Sequence, residues 1–133
     1  MREIMDHRVN PVNDTVSIEV VDEPGAGGAN HAYRVSGFDL EFNPSAGDGV
    51  TQNCATEMTV YFQNGPILAN GVNGVTQEVL LAIVIDRLRS FQKGPYACRE
   101  NELALQHAEE SLHWLQQRTL ARMRRCVEGT HTA

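Results

Sequence analysis

Long apolar runs are missing from this sequence. The longest, Val79 to Ile85, is far shorter than the roughly 20 residues that a helix needs to cross a bilayer. The N-terminus also lacks the apolar segment of a secretory signal. We therefore expect a soluble protein that works in the cytoplasm, and its 133 residues fit a single domain, 1–133.

Cysteine is scarce, and its spacing suggests no pairing. Cys54, Cys98 and Cys126 are odd in number and include no CxxC pair, which favours free thiols in a reducing compartment. Cys98 falls on the apolar stripe of a predicted helix, so we expect its side chain to be buried.

Lysine is almost absent, and the net charge is negative. Lys93 is the one lysine among 11 basic residues, and the formal net charge is -6. Since a negative chain binds the phosphate backbone poorly, we expect no DNA or RNA partner. Four arginines are concentrated near the C-terminus, at positions 118, 122, 124 and 125. Because guanidinium groups grip phosphate or carboxylate bidentately, this cluster favours a small anionic ligand.

Catalytic signatures are missing as well. The five histidines show no metal-ligand spacing, and neither GxSxG nor HExxH occurs. We therefore predict a binding protein with no catalytic residue, metal or cofactor. Two alternatives stay open. One is a nucleotide hydrolase or transferase that uses Asp22 or Glu23, and the other is a structural module whose arginines grip an acidic protein.

The N-terminal half is predicted to be rich in β-strands. Residues 1–14 show no period and read as an arm that packs on a partner subunit, whereas residues 15–72 carry alternating apolar patterns. These patterns predict three antiparallel strands, which begin near Thr15, Tyr33 and Met58. A β-bulge at Gly37 would let the second strand continue to Phe42.

Two connections interrupt these strands. Residues 22–31 are rich in glycine, so their backbone N–H groups can approach an anion or a flat ring. Composition alone favours the plainer alternative of a flexible hairpin, and the stretch lacks the lysine and serine or threonine of a P-loop. Residues 43–56 read as an exposed loop to which we assign no chemistry.

The C-terminal half is predicted to form a helical hairpin over residues 75–126. Thr76 can cap a first helix that begins near Gln77. Glycine and proline at 94 and 95 then separate it from a second helix, which runs from about Tyr96 to Cys126.

The length of the second helix bears on the assembly. At 1.5 Å per residue it is on the order of 45 Å long, which exceeds what a domain of this size can cover alone. The predicted fold class is therefore α+β and oligomeric, with a small N-terminal antiparallel β-sheet followed by a C-terminal two-helix hairpin.

Polar and aromatic residues of the hairpin permit both a plain and a functional interpretation. Arg118, Arg122 and Arg125 share one helix face, where they either complement the helix dipole or bind an anion. Phe91 is either a core residue or a stacking platform for a purine. Asn101 either sets the helix register or hydrogen-bonds a ligand.

Three stretches of the C-terminal half resemble one known family. They are residues 91–105, FQKGPYACRENELAL, residues 114–119, WLQQRT, and residues 127–131, VEGTH, in the predicted tail 127–133. These stretches resemble the helical hairpin that the phage Thoeris anti-defence sponge family shares with the anti-CBASS cyclic-nucleotide sponge. The glycine-rich loop 22–31 and the β-rich half look like the Thoeris sponge.

This resemblance implies a function. The protein would bind glyco-cyclic ADP-ribose, a cyclic ADP-ribose isomer made by a TIR-domain enzyme of the bacterial Thoeris system. It would hold this signal uncleaved, away from its effector, in the cytoplasm of the infected host. The family resemblance also implies a homodimer that assembles to a hexamer and, in some members, a second site for cyclic di- or trinucleotides.

Roles for individual residues follow from the same resemblance. Phe91 would stack on adenine, Asn101 would hydrogen-bond the ligand, and Arg118 and Arg122 would engage its pyrophosphate. The remaining candidates are Arg99 in the second site and, in the loop beside the ligand, Gly28, Ala29 and Asn30. Cys126 departs from the family pattern, because glycine is expected there.

Overall fold

The structure is a computed structural model that describes residues 1–47 and 56–126. Its contacts group the chain into two compact units, Met1–Asn64 and Gly65–Ala133. A four-stranded antiparallel sheet makes up most of the first unit, and helices make up the second. This arrangement confirms the predicted α+β class, whereas the single domain and the oligomer stay predictions.

The sheet of the first unit has one more strand than predicted. Its order is β1-β2-β3-β4, and each strand pairs antiparallel with the next. The strands are β1 at Arg2–Ile4, β2 at Ser17–Val20, β3 at Ala32–Ser36 and β4 at Glu57–Tyr61.

The register of the sheet explains the alternating sequence pattern. Ile18 lies opposite both Ile4 and Val35, so apolar side chains from adjacent strands share one face. Val20, two residues along β2, is 1% exposed and is the most deeply buried side chain of the unit. On the other face Glu19 forms an ion pair with Arg34 across the β2–β3 pair.

The predicted aperiodic arm, residues 1–14, is structured. It contains β1 and then α1, a short helix at Pro11–Thr15. The side chain of Asn10 caps this helix by accepting a bond from the Asn13 N–H at 3.2 Å. The strand β1 was not predicted, because three residues are too few to show a period. The helix α1 could have been predicted, because an Asn cap before a proline is a known signal of a helix start.

The predicted continuation of β3 through a bulge to Phe42 is wrong. The strand ends at Ser36, Gly37 turns the chain with a φ of +91°, and Leu40–Phe42 forms a 3-10 helix. The carboxylate of Asp39 starts that helix by accepting a bond from the Glu41 N–H at 2.9 Å. Phe42 is consequently exposed, and the predicted loop that follows lies partly outside the described residues, at 48–55.

Gly37 is expected to tolerate no side chain. A Cβ at this position would lie 2.0 Å from the backbone oxygen of Thr15, and the left-handed backbone adds strain. We expect Gly37→Ala to lower the free energy of unfolding by roughly 3 kcal/mol or more, measured by urea denaturation. Gly47→Ala is the control, because its Cβ would meet nothing within 4 Å. Equal stability of the two variants would contradict this account.

The second unit contains three helices within residues 65–126. They are α2 at Ile67–Asn70, α3 at Gln77–Gln92 and α4 at Arg99–Arg124. The Thr76 hydroxyl caps α3 by accepting a bond from the Val79 N–H at 3.3 Å, which confirms the predicted cap. No helix in the described ranges is long and apolar enough to cross a membrane.

The second helix of the hairpin, α4, begins three residues later than predicted. Its cap is Cys98, whose Sγ accepts a bond from the Asn101 N–H at 3.4 Å. Pro95 therefore lies in the connection and not in the first helical turn. The prediction that Cys98 is buried is wrong, since a cap lies outside the periodic stripe and this thiol is exposed.

The hairpin of α3 and α4 leaves much apolar surface uncovered. Ile85, 2% exposed, is the one buried apolar side chain of this unit within the described part of the chain. An ion pair between Arg89 and Glu109, at 2.9 Å, joins the two helices. Exposed apolar side chains lie on both helices, including Val79, Ile83, Val84, Trp114, Leu120 and Met123.

Cys126 occupies a backbone conformation that favours glycine. It directly follows Arg125, the C-cap of α4, and has a φ of +58°. Helices commonly end with a glycine in this left-handed conformation, because glycine has no Cβ to clash. The expectation of glycine at this position thus has a physical reason. The tail, 127–133, lies outside the described residues.

Candidate functional site

The glycine-rich loop of the first unit is ordered by its own backbone. The Gly25 N–H donates to the Ala29 carbonyl at 2.8 Å, and the Gly28 N–H donates to the Gly25 carbonyl at 2.9 Å. Gly27 and Gly28 have φ values of +76° and +83°, which side-chain-bearing residues rarely adopt. The loop is therefore a turn fixed by backbone hydrogen bonds, and not the flexible hairpin that its composition favoured.

The tip of this loop is open. A Cβ added at Gly27 or Gly28 would meet nothing within 4 Å, so another molecule can approach the backbone closely there. Among the described residues, the N–H group of Gly27 has no hydrogen-bond partner. A free donor at an open turn can bind a phosphate or carbonyl oxygen.

Asp22 anchors the base of the loop. Its two carboxylate oxygens accept bonds from the backbone N–H groups of His31, at 2.9 Å, and Ala32, at 3.2 Å. Desolvation by itself raises the pKa of Asp22, but these two bonds, the Asn30 side chain and the charge of His31 together lower that pKa below its ordinary value. A carboxylate occupied in this way is poorly placed to act as the general base of a hydrolase.

The lowered pKa of Asp22 predicts a pH dependence of stability. A carboxylate with a depressed folded-state pKa contributes stability above its unfolded pKa of about 3.9, and this contribution is lost as pH falls through the folded value. We expect Asp22→Asn to be less stable than wild type at pH 6, with the gap closing below about pH 4. Urea titrations across that range measure it. Glu23→Gln, the exposed neighbour, is the control, and a gap independent of pH would contradict the prediction.

Asn30 uses both ends of its side-chain amide within the first unit. The Nδ2 atom donates to the Asp22 carbonyl at 2.7 Å, and the Oδ1 atom accepts a bond from the Arg2 guanidinium at 3.1 Å. The contact between Arg2 and Asn30 was not predicted from the sequence, because residues so far apart in the chain leave no local pattern.

Phe91 lies at the end of α3, beside the helix connection. Its side chain is 36% exposed, and the guanidinium carbon of Arg87 lies 5.4 Å from the ring centroid. The Gln92 amide clamps the connection, because it donates to the Cys98 carbonyl and accepts from the Cys98 N–H, both at 3.2 Å. The clamp fixes the chain directly after Phe91, so the partly exposed ring has a defined position.

Asn101 lies in the first turn of α4, in the same region. Its Nδ2 atom donates to the Tyr96 carbonyl at 3.3 Å, so the side chain also supports the connection. Arg99 begins the helix and is exposed. Phe91, Asn101 and Arg99 therefore lie at the connection end of the hairpin.

Arg118 and Arg122 lie at the other end of the hairpin. Arg118 is exposed, whereas Arg122 is 7% exposed, which is unusual for a guanidinium and holds it in place. An open groove of about 390 Å³ also lies at this end of the hairpin, and it is lined by Glu78, Gln116, Gln117, Thr119 and Leu120. Arg118 and Arg122 do not line this groove, because at about 100° per residue they project from the opposite face of α4.

The two ends of the hairpin are far apart in one chain. Asn101 and Arg122 both lie on α4, and their separation is on the order of 30 Å at 1.5 Å per residue. A small nucleotide is much shorter than this distance. One copy of the hairpin therefore cannot bring both groups of residues to the same ligand.

Metal binding finds no support in the described ranges. No group of three or more His, Cys, Asp or Glu side chains is positioned there to hold an ion.

Comparison with known proteins identifies the class to which the hairpin belongs. Residues 55–120, about half of the chain, match the family model described as Acb2/Tad1, hairpin domain. This segment contains all of α3 and most of α4. The chain belongs to this family, as the resemblance predicted.

The chain also matches part of a named protein. The chain is 52% identical over 73 residues to a protein named Thoeris anti-defense 1 from Bacillus phage SBSphiJ7. The alignment covers 55% of this chain and 51% of that relative. The matched segment thus spans about half the length of the relative, and the comparison leaves the residue roles untested.

Proposed function

We propose that this chain is a phage anti-defence protein that binds and sequesters glyco-cyclic ADP-ribose without cleaving it. The signal is a product of a TIR-domain enzyme of the bacterial Thoeris system, and capture takes place in the cytoplasm of the infected host. The name of the relative, which concerns Thoeris anti-defence, supports the general role. The geometry of the hairpin supports the mode of binding.

The separation of the two ends of the hairpin is the observation that carries the proposal. Because about 30 Å lies between Asn101 and Arg122, a shared pocket needs two chains whose hairpins lie antiparallel, so that the connection end of each meets the other end of its partner. One copy contributes Phe91 and Asn101, and its partner contributes Arg118 and Arg122. Two-fold symmetry then creates two equal pockets for each dimer.

The chemistry of these groups fits a cyclic ADP-ribose isomer, which has one purine and one pyrophosphate. The ring of Phe91 offers a face for adenine, and base stacking contributes roughly 1–3 kcal/mol. Arg118 and Arg122 offer charge-assisted bonds to the pyrophosphate. The family resemblance also puts the loop residues Gly28 and Ala29 beside the ligand. Nanomolar capture requires about -12 kcal/mol, which a pocket enclosed between chains supplies better than an open groove.

The uncovered apolar side chains support assembly through the hairpin. Ile83, Val84 and Leu120 are 54%, 45% and 41% exposed in one chain. Surfaces of this kind mark interaction sites, and a second copy would bury them. We propose a homodimer through these helices and, by analogy with the family, a hexamer of three dimers. Mass measurement in solution distinguishes a monomer, a dimer and a hexamer.

Capture without cleavage is tested by releasing the ligand. The protein is incubated with a slight excess of glyco-cyclic ADP-ribose, the unbound part is removed, and the complex is heated to denature the chain. Chromatography should return the intact ligand in a fixed ratio to protein. A cleaved product, or turnover of a large excess, would favour the alternative of a hydrolase or transferase using Asp22 or Glu23.

The structural-module alternative is tested by thermal stability. A ligand that binds the folded state at 100 times its Kd stabilises it by about 2.7 kcal/mol, which raises the melting temperature. If glyco-cyclic ADP-ribose and other nucleotides leave the melting temperature unchanged, the arginines serve a protein partner.

Arg99 is proposed for a second site that takes cyclic di- or trinucleotides. It is exposed in the first turn of α4, where its guanidinium is available to a phosphate. Calorimetric titration of a cyclic trinucleotide into protein already saturated with glyco-cyclic ADP-ribose tests this role. Undiminished heat indicates a separate site, and loss of the heat in Arg99→Ala assigns that site to Arg99.

A further inference from the structure

We propose that Asn30 is a positioning residue and that Arg2, Asn30 and Asp22 form a clasp that holds the glycine-rich loop in its ligand-ready shape. This inference rests on the proposed function, because the ligand in question is the nucleotide proposed there. It reassigns Asn30, which the family resemblance made a ligand contact, and it adds two residues to which no role is otherwise assigned.

The clasp joins three parts of the first unit that are distant in sequence. Arg2 comes from β1, Asp22 from the start of the loop and Asn30 from its end. The Arg2 guanidinium donates to Asn30 Oδ1 at 3.1 Å, and Asn30 Nδ2 donates to the Asp22 carbonyl at 2.7 Å. The bonds form a chain, so Arg2 acts on the loop through Asn30.

The clasp is attached to the sheet at both ends. Arg2 pairs with Val20, just before the loop begins, so β1 brings its side chain to that edge of the unit. The Asp22 carboxylate holds the N–H groups of His31 and Ala32, which are 8% and 6% exposed. The two ends of the loop are therefore fixed on buried backbone.

The contacts within the clasp decide which atoms of the loop remain for a ligand. The oxygen and nitrogen of the Asn30 amide both have partners, so a ligand that engaged this amide would have to displace one of them. By contrast, the N–H group of Gly27 has none among the described residues. The loop thus presents a backbone donor to its ligand, and the Asn30 side chain sets the position of that donor.

A double-mutant cycle separates positioning from direct contact. The Kd for glyco-cyclic ADP-ribose is measured for wild type, Arg2→Ala, Asn30→Ala and the double variant. If Arg2 acts only through Asn30, each single change weakens binding by about tenfold and the double change costs no more than Asn30→Ala alone. Multiplied effects of the two changes would show that Asn30 acts on the ligand independently of Arg2, which overturns the proposal.

A conservative replacement of Arg2 distinguishes loss of the hydrogen bond from general destabilisation of the fold. Lysine keeps a donor to Asn30 Oδ1, so Arg2→Lys should recover most of the affinity lost in Arg2→Ala. Glu23→Gln changes the charge of the loop by the same amount as Asp22→Asn but touches no bond of the clasp. Its affinity should equal that of wild type, whereas Asp22→Asn should lose about tenfold because one of the two backbone donors is left unpaired. Equal affinities of these two variants would contradict the clasp.

Hydrogen exchange without ligand keeps the test independent of the proposed function. The amides of Gly25, Gly28, His31 and Ala32 should be protected in wild type and should exchange faster in Asp22→Asn and Asn30→Ala. If wild type does not bind the nucleotide but shows this pattern, the proposed function fails and the clasp stands. If wild type binds and exchange is unchanged in the variants, the clasp fails and the proposed function stands.

Discussion

Capture of glyco-cyclic ADP-ribose is expected to be lost when Arg118 and Arg122 are both replaced with alanine. Hydrogen bonds to charged groups contribute about 1.5–3 kcal/mol each, and the double variant removes at least two of them. The affinity should therefore fall by at least about 100-fold. Calorimetric titration measures the loss directly.

The control for this prediction lies on the same helix end. Arg124→Ala combined with Arg125→Ala removes the same charge from two exposed positions and should leave the affinity unchanged. Because Arg122 is buried, its loss also leaves a void, so circular dichroism and thermal melting must show that the variant is folded. Full-strength capture by a folded Arg118→Ala, Arg122→Ala variant would refute the proposed pocket.

Two defective chains are expected to restore binding when they are mixed. Phe91→Ala lacks the stacking ring, and Arg118→Ala with Arg122→Ala lacks the guanidinium forks, so each should fail alone. In a mixed antiparallel dimer, one pocket carries both defects and the other combines an intact Phe91 with intact arginines. Because half of the assembled dimers are mixed and each has one intact pocket, about a quarter of the wild-type capacity should return, with wild-type affinity.

The two-chain pocket predicts which mixtures fail. The chains are co-expressed with different affinity tags, and mixed dimers are isolated before the stoichiometry of ligand binding is measured. Isolated mixed dimers should bind one ligand where wild-type dimers bind two. Combining Phe91→Ala with Asn101→Ala should restore nothing, because both residues belong to the same half of the pocket. Restoration of binding by that pair, or no restoration by the first pair, would contradict the antiparallel arrangement.

Local chemistry explains which parts of the fold could be predicted. The Thr76 cap, the alternating residues of β2 and the periodic stripes of the hairpin all encode structure within a few residues, and each was predicted. The end of β3 was not, because a short alternating run such as Phe38 to Phe42 fits a strand pattern even where a left-handed glycine and an Asp cap redirect the chain.

The candidate site shows the same division. Which chemical groups are available can be read from the amino-acid order alone: arginine forks, one aromatic platform and a glycine-rich loop without a catalytic signature. Tertiary structure decided where they act. The pairing of β1 brings Arg2 to Asn30, and the length of α4 holds Phe91 and Asn101 far from Arg118 and Arg122.

The physical reason is the range of each interaction. Caps, helical stripes and turns depend on neighbours in sequence, so their signals are written locally. Strand pairing, the burial of Arg122 and the contact between Arg2 and Asn30 depend on which distant segments meet, and that is settled only when the whole chain packs.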